Sequence, residues 1–249
     1  MLTLTDVTKR FGGILALDGV SFQVRAGCIV GLIGPNGSGK TVMLNLISGL
    51  SRLDGGQILF RGDRIDGLPP YAVARRGIGR TFQLLKLFPD LTVRQNLELM
   101  RQPRLMGSNL QTMLASLPRV ATGPSAEIDA LLEMVGLHDK QRERAGSLSY
   151  GQQKLVAFLN VLCMNPEPEL ILLDEPAAGV NPTMINTLIR QVQHFRERGK
   201  TFLVVEHDLK VIMDLCDTVV VLDHGRRIAE GPPAKVRQDP AVMEAYFGR

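Results

Sequence analysis

Cysteine is scarce in this chain, long apolar runs are missing, and the excess of positive charge is slight. Cys28, Cys163 and Cys216 lie far apart among 249 residues. They suggest neither a disulfide framework nor a C-x-x-C metal knuckle, and so a reducing compartment is expected. No apolar stretch approaches the roughly 18 residues of a transmembrane helix. The longest, Cys28–Ile33 and Leu170–Leu173, are strand-sized. The N-terminus opens on alternating polar and apolar residues (Leu2, Leu4, Val7), without the basic–apolar–small pattern of a secretion signal. A soluble, cytoplasmic protein is expected. A net charge of +4 is too weak for the clustered basic stripe of a nucleic-acid binder. It suits a polyanion such as a nucleotide, or an anionic membrane surface. Internal repeats and low-complexity linkers are also missing.

What is present is an ordinary globular composition. Apolar residues make up 45 % and charged residues 22 %, which excludes a disordered chain and supplies a sizeable core. Glycine accounts for 25 of the 249 residues, more than the usual share of about 7 %. The excess predicts tight turns or close backbone approaches.

The patterning reads as a broken α/β chain. Residues 2–7 and 20–25 alternate as short strands, Cys28–Ile33 reads as a buried central strand, and Gln57–Phe60 sits in a Gly- and Asp-rich hairpin region. An apolar helical pattern follows at Met43, Leu44, Leu46 and Ile47, which Gly49 can end. Helical spacing then appears at 91–100, 125–135 and 151–164, with an irregular stretch at 101–124 that includes one short helix at 109–116. Strands return at 170–173, 202–205 and 219–222, with helices at 182–198 and 208–215. An α/β core of about 1–83 and 166–249 is thus interrupted by a mostly helical block of about 84–165.

Gly34-Pro35-Asn36-Gly37-Ser38-Gly39-Lys40-Thr41 fits G-x-x-x-x-G-K-[ST] at every position, between a predicted strand and a predicted helix. The glycines let several backbone N–H groups face one anion, and the helix N-terminus adds its positive dipole end. Lys40 can reach the β- and γ-phosphates of a nucleotide, and the Thr41 hydroxyl can ligate Mg²⁺. The companion carboxylate is supplied by Leu170-Ile171-Leu172-Leu173-Asp174-Glu175. Four apolar residues put Asp174 at the C-terminal end of a buried strand, the edge where parallel α/β sheets gather ligands. Asp174 is expected to hold Mg²⁺, and Glu175 to orient an attacking water or accept its proton. No Asn-Lys-x-Asp element of a guanine-nucleotide switch follows.

Leu148-Ser149-Tyr150-Gly151-Gln152-Gln153 opens a later helix. A Ser with a Gly two residues on, at a helix start, offers a hydroxyl, N–H groups and a dipole to a phosphate. Taken alone it reads better as an ordinary helix cap, and only the place of Gly151, 23 residues before Asp174, lifts it above one.

In this order the motifs resemble the ATP-binding cassette (ABC) transporter ATPases over nearly the whole chain. The resemblance implies a P-loop ATPase core with a mixed or parallel sheet, an antiparallel β region and an inserted helical subdomain. It implies ATP and Mg²⁺ as ligands, with Pro35, Asn36, Ser38 and Val42 in the phosphate loop beside its glycines. It matches Gln83, in Arg80-Thr81-Phe82-Gln83, to a glutamine that senses Mg²⁺ and couples to the membrane domain. It matches His207, in Val205-Glu206-His207-Asp208, to the switch histidine on the γ-phosphate, and Phe11 to the aromatic that stacks on adenine. Ser149, Gly151 and Gln152 fall in the family signature. Tyr150 in that signature, Ala178-Gly179-Val180-Asn181-Pro182 and Val242-Met243-Glu244-Ala245-Tyr246-Phe247-Gly248 look like the branched-chain amino acid importers. Importers of urea, amides or other polar solutes look similar.

The resemblance implies a dimer, in which each ATP is held between Lys40, Gln83 and His207 of one cassette and Ser149 and Gly151 of another. The other cassette is a second copy or, as the subfamily resemblance favours, a related subunit. Two transmembrane permease subunits dock near Phe82, Leu84, Leu87 and Phe88, a solute-binding protein acts indirectly, and nucleic acid has no part. The site of action is then the cytoplasmic face of a bacterial inner membrane. A soluble cassette acting on ribosomes or DNA would carry two cassettes or long coiled coils. A regulatory cassette without turnover is opposed by intact Lys40, Asp174, Glu175 and His207. The chain departs from the family pattern at Val42, where a hydroxyl is common and whose absence predicts weaker ATP binding. It departs also at Asn181, where Asp is usual, and at Ala157 and Asn160 on the helix after the signature.

Overall fold

The computed structural model describes residues 1–81, 87–101 and 125–247. The expected helix at 109–116, Gln83, and the docking residues Phe82 and Leu84 lie outside these residues. The described chain falls into two compact units. The first comprises residues 1–83, 169–178 and 192–249, and the second 84–168 and 179–191.

The first unit holds two sheets. One has the order β2-β1-β4-β5 and is antiparallel throughout, from β1 (Leu2–Phe11), β2 (Ile14–Val24), β4 (Gly55–Phe60) and β5 (Asp63–Arg64). The first two strands run longer than their alternation predicts. Register shifts interrupt their pairing and Asp6 takes φ 50°. Bulges of this kind break the period of two on which the shorter reading rests.

The second sheet has the order β10-β9-β3-β8-β7-β6. It is built from β3 (Ile29–Ile33), β6 (Ile78–Arg80), β7 (Leu170–Asp174), β8 (Thr201–Val205), β9 (Thr218–Asp223) and β10 (Arg226–Gly231). All pairs are parallel except β9 with the edge strand β10. Strands β3, β7 and β8 are buried at every residue, which is why they read as unbroken apolar runs. By contrast β10, with the sequence Arg-Arg-Ile-Ala-Glu-Gly, is partly exposed along its length. It carries no periodic signal, as befits a charged edge.

Helix α1 (Lys40–Ile47) follows β3 and buries Met43, Leu44, Leu46 and Ile47. These join residues of both sheets, among them Leu4, Phe60, Leu172, Val205 and Leu222, in one core. At roughly 1.5–3 kcal/mol per buried side chain, the four fix the helix, and its first residue with it. Helix α7 (Leu209–Leu215) lies where a helix at 208–215 is expected. Short α2 (Pro70–Arg75) precedes β6, and α8 (Pro233–Val236) and α9 (Pro240–Phe247) close the chain. None of these three carries enough periodicity to be read from sequence.

The second unit is helical. Helix α3 (Val93–Arg101) packs on both α4 (Ala126–Met134) and α5 (Tyr150–Leu162), through buried Val93, Leu97, Ile128, Leu132, Leu155 and Leu159. Residues 179–191, placed with the core by the sequence, cluster with this unit instead. The reason is local packing. A Cβ on Gly179 would lie 3.1 Å from the Tyr150 ring, and one on Gly151 would lie 2.5 Å from Met184 Sδ. Helix α6 (Pro182–Glu197) begins in the second unit and ends in the first. Among the described residues no helix is long and apolar enough to cross a membrane.

Candidate functional site

Three neighbouring parallel strands set the site. Leu32 of β3 pairs with Val205 of β8, and Val205 with Asp174 of β7. The residues that follow each strand therefore leave the sheet at one carboxyl edge. They are the Gly34–Lys40 loop, Glu206-His207, and Asp174-Glu175.

The loop is held from behind. Gly34 takes φ 148°, and a Cβ there would lie 2.0 Å from the Leu222 carbonyl oxygen. Gly39 takes φ 103° and caps α1 without a side-chain hydrogen bond. A Cβ there would meet Leu17 Cδ2 at 2.7 Å and the Ala16 oxygen at 2.8 Å. At Gly37, φ 81°, nothing lies within 4 Å. The loop thus pins its two ends and leaves its crest open, with the first-turn N–H groups of α1 uncapped by any side chain. Asn36 and Gly37 are exposed, Ser38 is buried, and its hydroxyl has no partner among the described residues. Lys40 is 8 % exposed and donates to the carbonyls of Gly34 at 2.7 Å and Pro35 at 2.9 Å. Burial pushes its ammonium below the ordinary lysine value, and the Glu175 and Asp174 carboxylates oppose that shift. Thr41 is exposed.

Asp174 is 4 % exposed. Its Oδ2 accepts from Arg80 Nη2 at 2.9 Å, while its Oδ1 is buried without a hydrogen-bond partner among the described residues. Arg80 also donates to Asn45 Oδ1 and Ser48 Oγ on and just after α1, both at 2.8 Å. This guanidinium joins β6, β7 and α1. The sequence carried Arg80 only as a letter of the motif around Gln83, because nothing local shows that β6 lies beside β7. Glu175 is partly buried and takes φ 46°, a left-handed backbone that costs a non-glycine residue about 1–3 kcal/mol. Its N–H donates to the Val205 carbonyl at 2.9 Å.

His207 is exposed, and its N–H donates to Glu206 Oε2 at 3.1 Å. Glu206, which the sequence reading passed over, is completely buried. Its Oε1 accepts from the Ala177 N–H at 2.6 Å. Burial pushes its carboxyl above the ordinary glutamate value, against the pull of the Ala177, His207 and Asp208 backbone N–H groups. A charged letter after four apolar ones was the available signal.

Phe11 is 48 % exposed at the end of β1, with Lys9 Nζ 5.2 Å from its ring centre. The following strand touches the phosphate loop at Ala16 and Leu17.

Ser149, Gly151 and Gln152 belong to the second unit. Ser149 caps α5 as expected, but its donors are not left free. Ser149 Oγ accepts from the Gln152 N–H at 3.4 Å, and Gln152 Oε1 accepts from the Ser149 N–H at 3.1 Å. This is a reciprocal capping box. The Ser149 hydroxyl hydrogen remains available to an acceptor. Asn181 Oδ1 accepts from the Met184 N–H at 3.0 Å and so caps α6, a task Asn and Asp perform about equally. Asn160 is 6 % exposed and Ala157 is partly buried. Val42 is partly buried against the core. Leu87 is partly buried and Phe88 is 48 % exposed.

Comparison with known proteins agrees with this geometry. Residues 17–178 match the ABC transporter family, and residues 226–249 match a branched-chain amino acid ATP-binding cassette transporter family. The chain is 38 % identical over 255 residues to the high-affinity branched-chain amino acid transport ATP-binding protein BraF of Pseudomonas aeruginosa, covering all of this chain and 98 % of the relative. It is 37 % identical over 252 residues to LivG of Salmonella typhimurium, a protein of the same description, with the same coverage. Among solved structures it resembles the ADP conformation of an ABC transporter cassette, with TM-score 0.85 and 33 % identity over 100 % of this chain and 99 % of the other. It also resembles a bacterial ABC transporter cassette solved as a dimer, with TM-score 0.75 and 28 % identity over 94 % of this chain and 99 % of the other. With an open, glycine-pinned phosphate loop beside Asp174 and Glu175, the chain belongs to the ABC transporter family as one of its nucleotide-binding ATPase cassettes.

Proposed function

We propose that this chain is the ATP-hydrolysing subunit of an importer for branched-chain or related amino acids. The observation that carries the solute class is the match of residues 226–249 to the branched-chain cassette family, at the end of a chain similar throughout to BraF and LivG. The whole chain reads as one ATP-binding domain with an α/β core and a helical subdomain. It works peripherally, at the cytoplasmic face of a bacterial inner membrane, beside two permease subunits that a solute-binding protein serves. Leu87 and the exposed Phe88, four and five residues after Gln83 in the sequence, support a dock there.

The reading assigns each residue a task. The loop N–H groups from Gly34 to Val42 and the head of α1 receive the phosphates, and Phe11 stacks on the adenine. Lys40 exchanges its hydrogen bonds to the Gly34 and Pro35 carbonyls for bonds to phosphate oxygens. Thr41, Gln83 and Asp174 would hold Mg²⁺. The unpartnered Asp174 Oδ1 fits that task, because Arg80 occupies the other oxygen. When bound, the ion offsets charge on the transferring phosphoryl group. A water attacks the γ-phosphorus as Glu175 takes its proton, the bond to the ADP oxygen breaks, and His207 contacts the γ-phosphate. A second cassette supplies Ser149, Gly151 and Gln152, which the dimeric relative supports. A non-identical partner cassette suits the subfamily. Loss of the γ-phosphate removes the contacts that hold two cassettes together, and this difference drives the cycle.

Uptake of labelled leucine by cells lacking the gene tests the reading. Wild-type chain restores uptake and Glu175→Gln does not. Restoration of urea or amide uptake alone would move the chain to that class of importer. ATP binding without turnover in the complete transporter would make it a regulatory cassette.

A further inference from the structure

Glu206 is a carboxylate without a mechanism so far. It is completely buried at the end of β8, and among the described residues no Lys or Arg pairs with it within 4 Å. His207 Nδ1 stands 3.8 Å away. Backbone N–H groups satisfy the carboxylate instead. One oxygen accepts from Ala177 at 2.6 Å, two residues beyond Glu175, and the other accepts from His207 at 3.1 Å. Burying a charge is costly unless such donors surround it. A neutral side chain would fill the space with less penalty, so the carboxylate has a task beyond packing.

That task is visible in the backbone. Glu175 sits at φ 46°, a conformation that persists only where its surroundings over-determine it. Two of the bonds that hold this turn come from the end of β8. The Glu175 N–H is held by the Val205 carbonyl at 2.9 Å, and the Ala177 N–H by the Glu206 side chain. The same side chain holds the start of the His207 loop. We infer that Glu206 is a positioning residue for ATP hydrolysis, a single buried anchor that fixes the strained Glu175 turn and the His207 loop relative to each other. This rests on the proposed roles of Glu175 and His207. Lys40 and the phosphate loop leave from β3 and share no hydrogen bond with Glu206, so nucleotide binding does not depend on it.

Glu206→Gln in the full chain tests this. The amide keeps one acceptor and turns an N–H₂ donor toward a backbone N–H, so one of the two anchors is lost. Amide hydrogen exchange at Ala177 or His207 should rise at least tenfold in the nucleotide-free protein, while Val204 within β8 keeps its protection. The kcat for ATP should fall tenfold or more with KM within twofold of wild type. Glu175→Gln combined with Glu206→Gln should be no slower than Glu175→Gln alone, because two parts of one unit do not add. Unchanged exchange at both amides would overturn the inference, as would an unchanged kcat or a loss confined to KM. Should Glu206→Gln fail to fold, Glu206→Asp carries the same measurements, since its shorter arm cannot reach both loops. A wild-type chain without ATP turnover would defeat the proposed function, while the exchange data would still judge Glu206.

Discussion

Two helix starts in this protein have the chemistry to meet a phosphate, and they spend their N–H groups differently. Helix α1 begins at Gly39, which offers no side-chain cap, after a loop whose glycines hold φ angles of 81°, 103° and 148°. At its first position stands a buried lysine resting on loop carbonyls. Helix α5 begins at Ser149, and its first donors are closed into a capping box with Gln152. No basic side chain stands in its first turn, Lys154 lying further along with Nζ 5.4 Å from the centre of the Tyr150 ring. The first start is built to be completed by a ligand. The second is complete already, and can add a hydroxyl hydrogen and a dipole to something held elsewhere. On the proposed reading, a site made from α1 would bind nucleotide within one chain, and one made from α5 would only contribute to it.

Lys40→Ala is the strongest way to break that contrast. Loss of a charge aimed at transferring phosphate costs about 10²–10³ in turnover, and binding of ATP to the isolated chain should weaken with it. Direct nucleotide titration beside an ATPase assay checks both. Near-normal binding would mean that α1 is not the primary site.

Glycine substitutions come next. Gly34→Ala puts a methyl group 2.0 Å from a backbone oxygen at a positive φ, and each of these faults costs about 1–3 kcal/mol. Urea unfolding should show a loss of several kcal/mol. Gly151→Ala meets only the flexible end of Met184 at 2.5 Å within a helix that prefers Ala by about 1 kcal/mol, and its stability should change little. Equal losses at the two positions would erase the difference between the loops.

Ser149→Ala should cost about 1 kcal/mol of stability through the lost cap and leave ATP binding to a single chain unchanged. A tenfold fall in that affinity would show that α5 binds nucleotide by itself. Val42→Thr sharpens the account of α1. A hydrogen bond to a charged group is worth about 1.5–3 kcal/mol, but Val42 also packs on the core, where a hydroxyl is unwelcome. Affinity for ATP should rise by about tenfold at most, and no change would remove the missing hydroxyl as a cause of weak binding.

The smallest effect is in pH. Burial lowers the Lys40 value, so its charge is lost on the alkaline side earlier than for an ordinary lysine. Single-chain affinity for ATP should fall as pH rises from below 10.5, the ordinary value. No such fall is expected for Ser149, which does not titrate there. Calorimetric titration across alkaline pH reads the onset.

Some of the molecule was open to reading because its causes are local. The phosphate loop needs glycine at set positions for backbone reasons, and Asp174 ends an apolar run because its strand is buried on both faces. Asp208 caps a helix with its own side chain, at 2.8 Å from the Lys210 N–H. Other features depend on neighbours far away in sequence. Arg80 meets Asp174 only because β6 lies beside β7, and Glu206 meets Ala177 only because β8 does. The exposed strand β10 and the short closing helices have no periodicity to betray them. Residues 179–191 join the helical unit through contacts of Gly179 and Gly151 that no composition reveals.

The sequence by itself determined the phosphate loop, its companion carboxylates, the family they resemble and the alternation of core and helical block. These follow from backbone geometry and from apolar burial, which leave a mark at each position. Only the tertiary structure decided which oxygen of Asp174 is taken, why Glu175 can hold a strained backbone, and that the Ser149 helix start is already satisfied. Those depend on hydrogen bonds between segments joined by strand order, and on side-chain geometry at a helix start that a letter pattern does not fix.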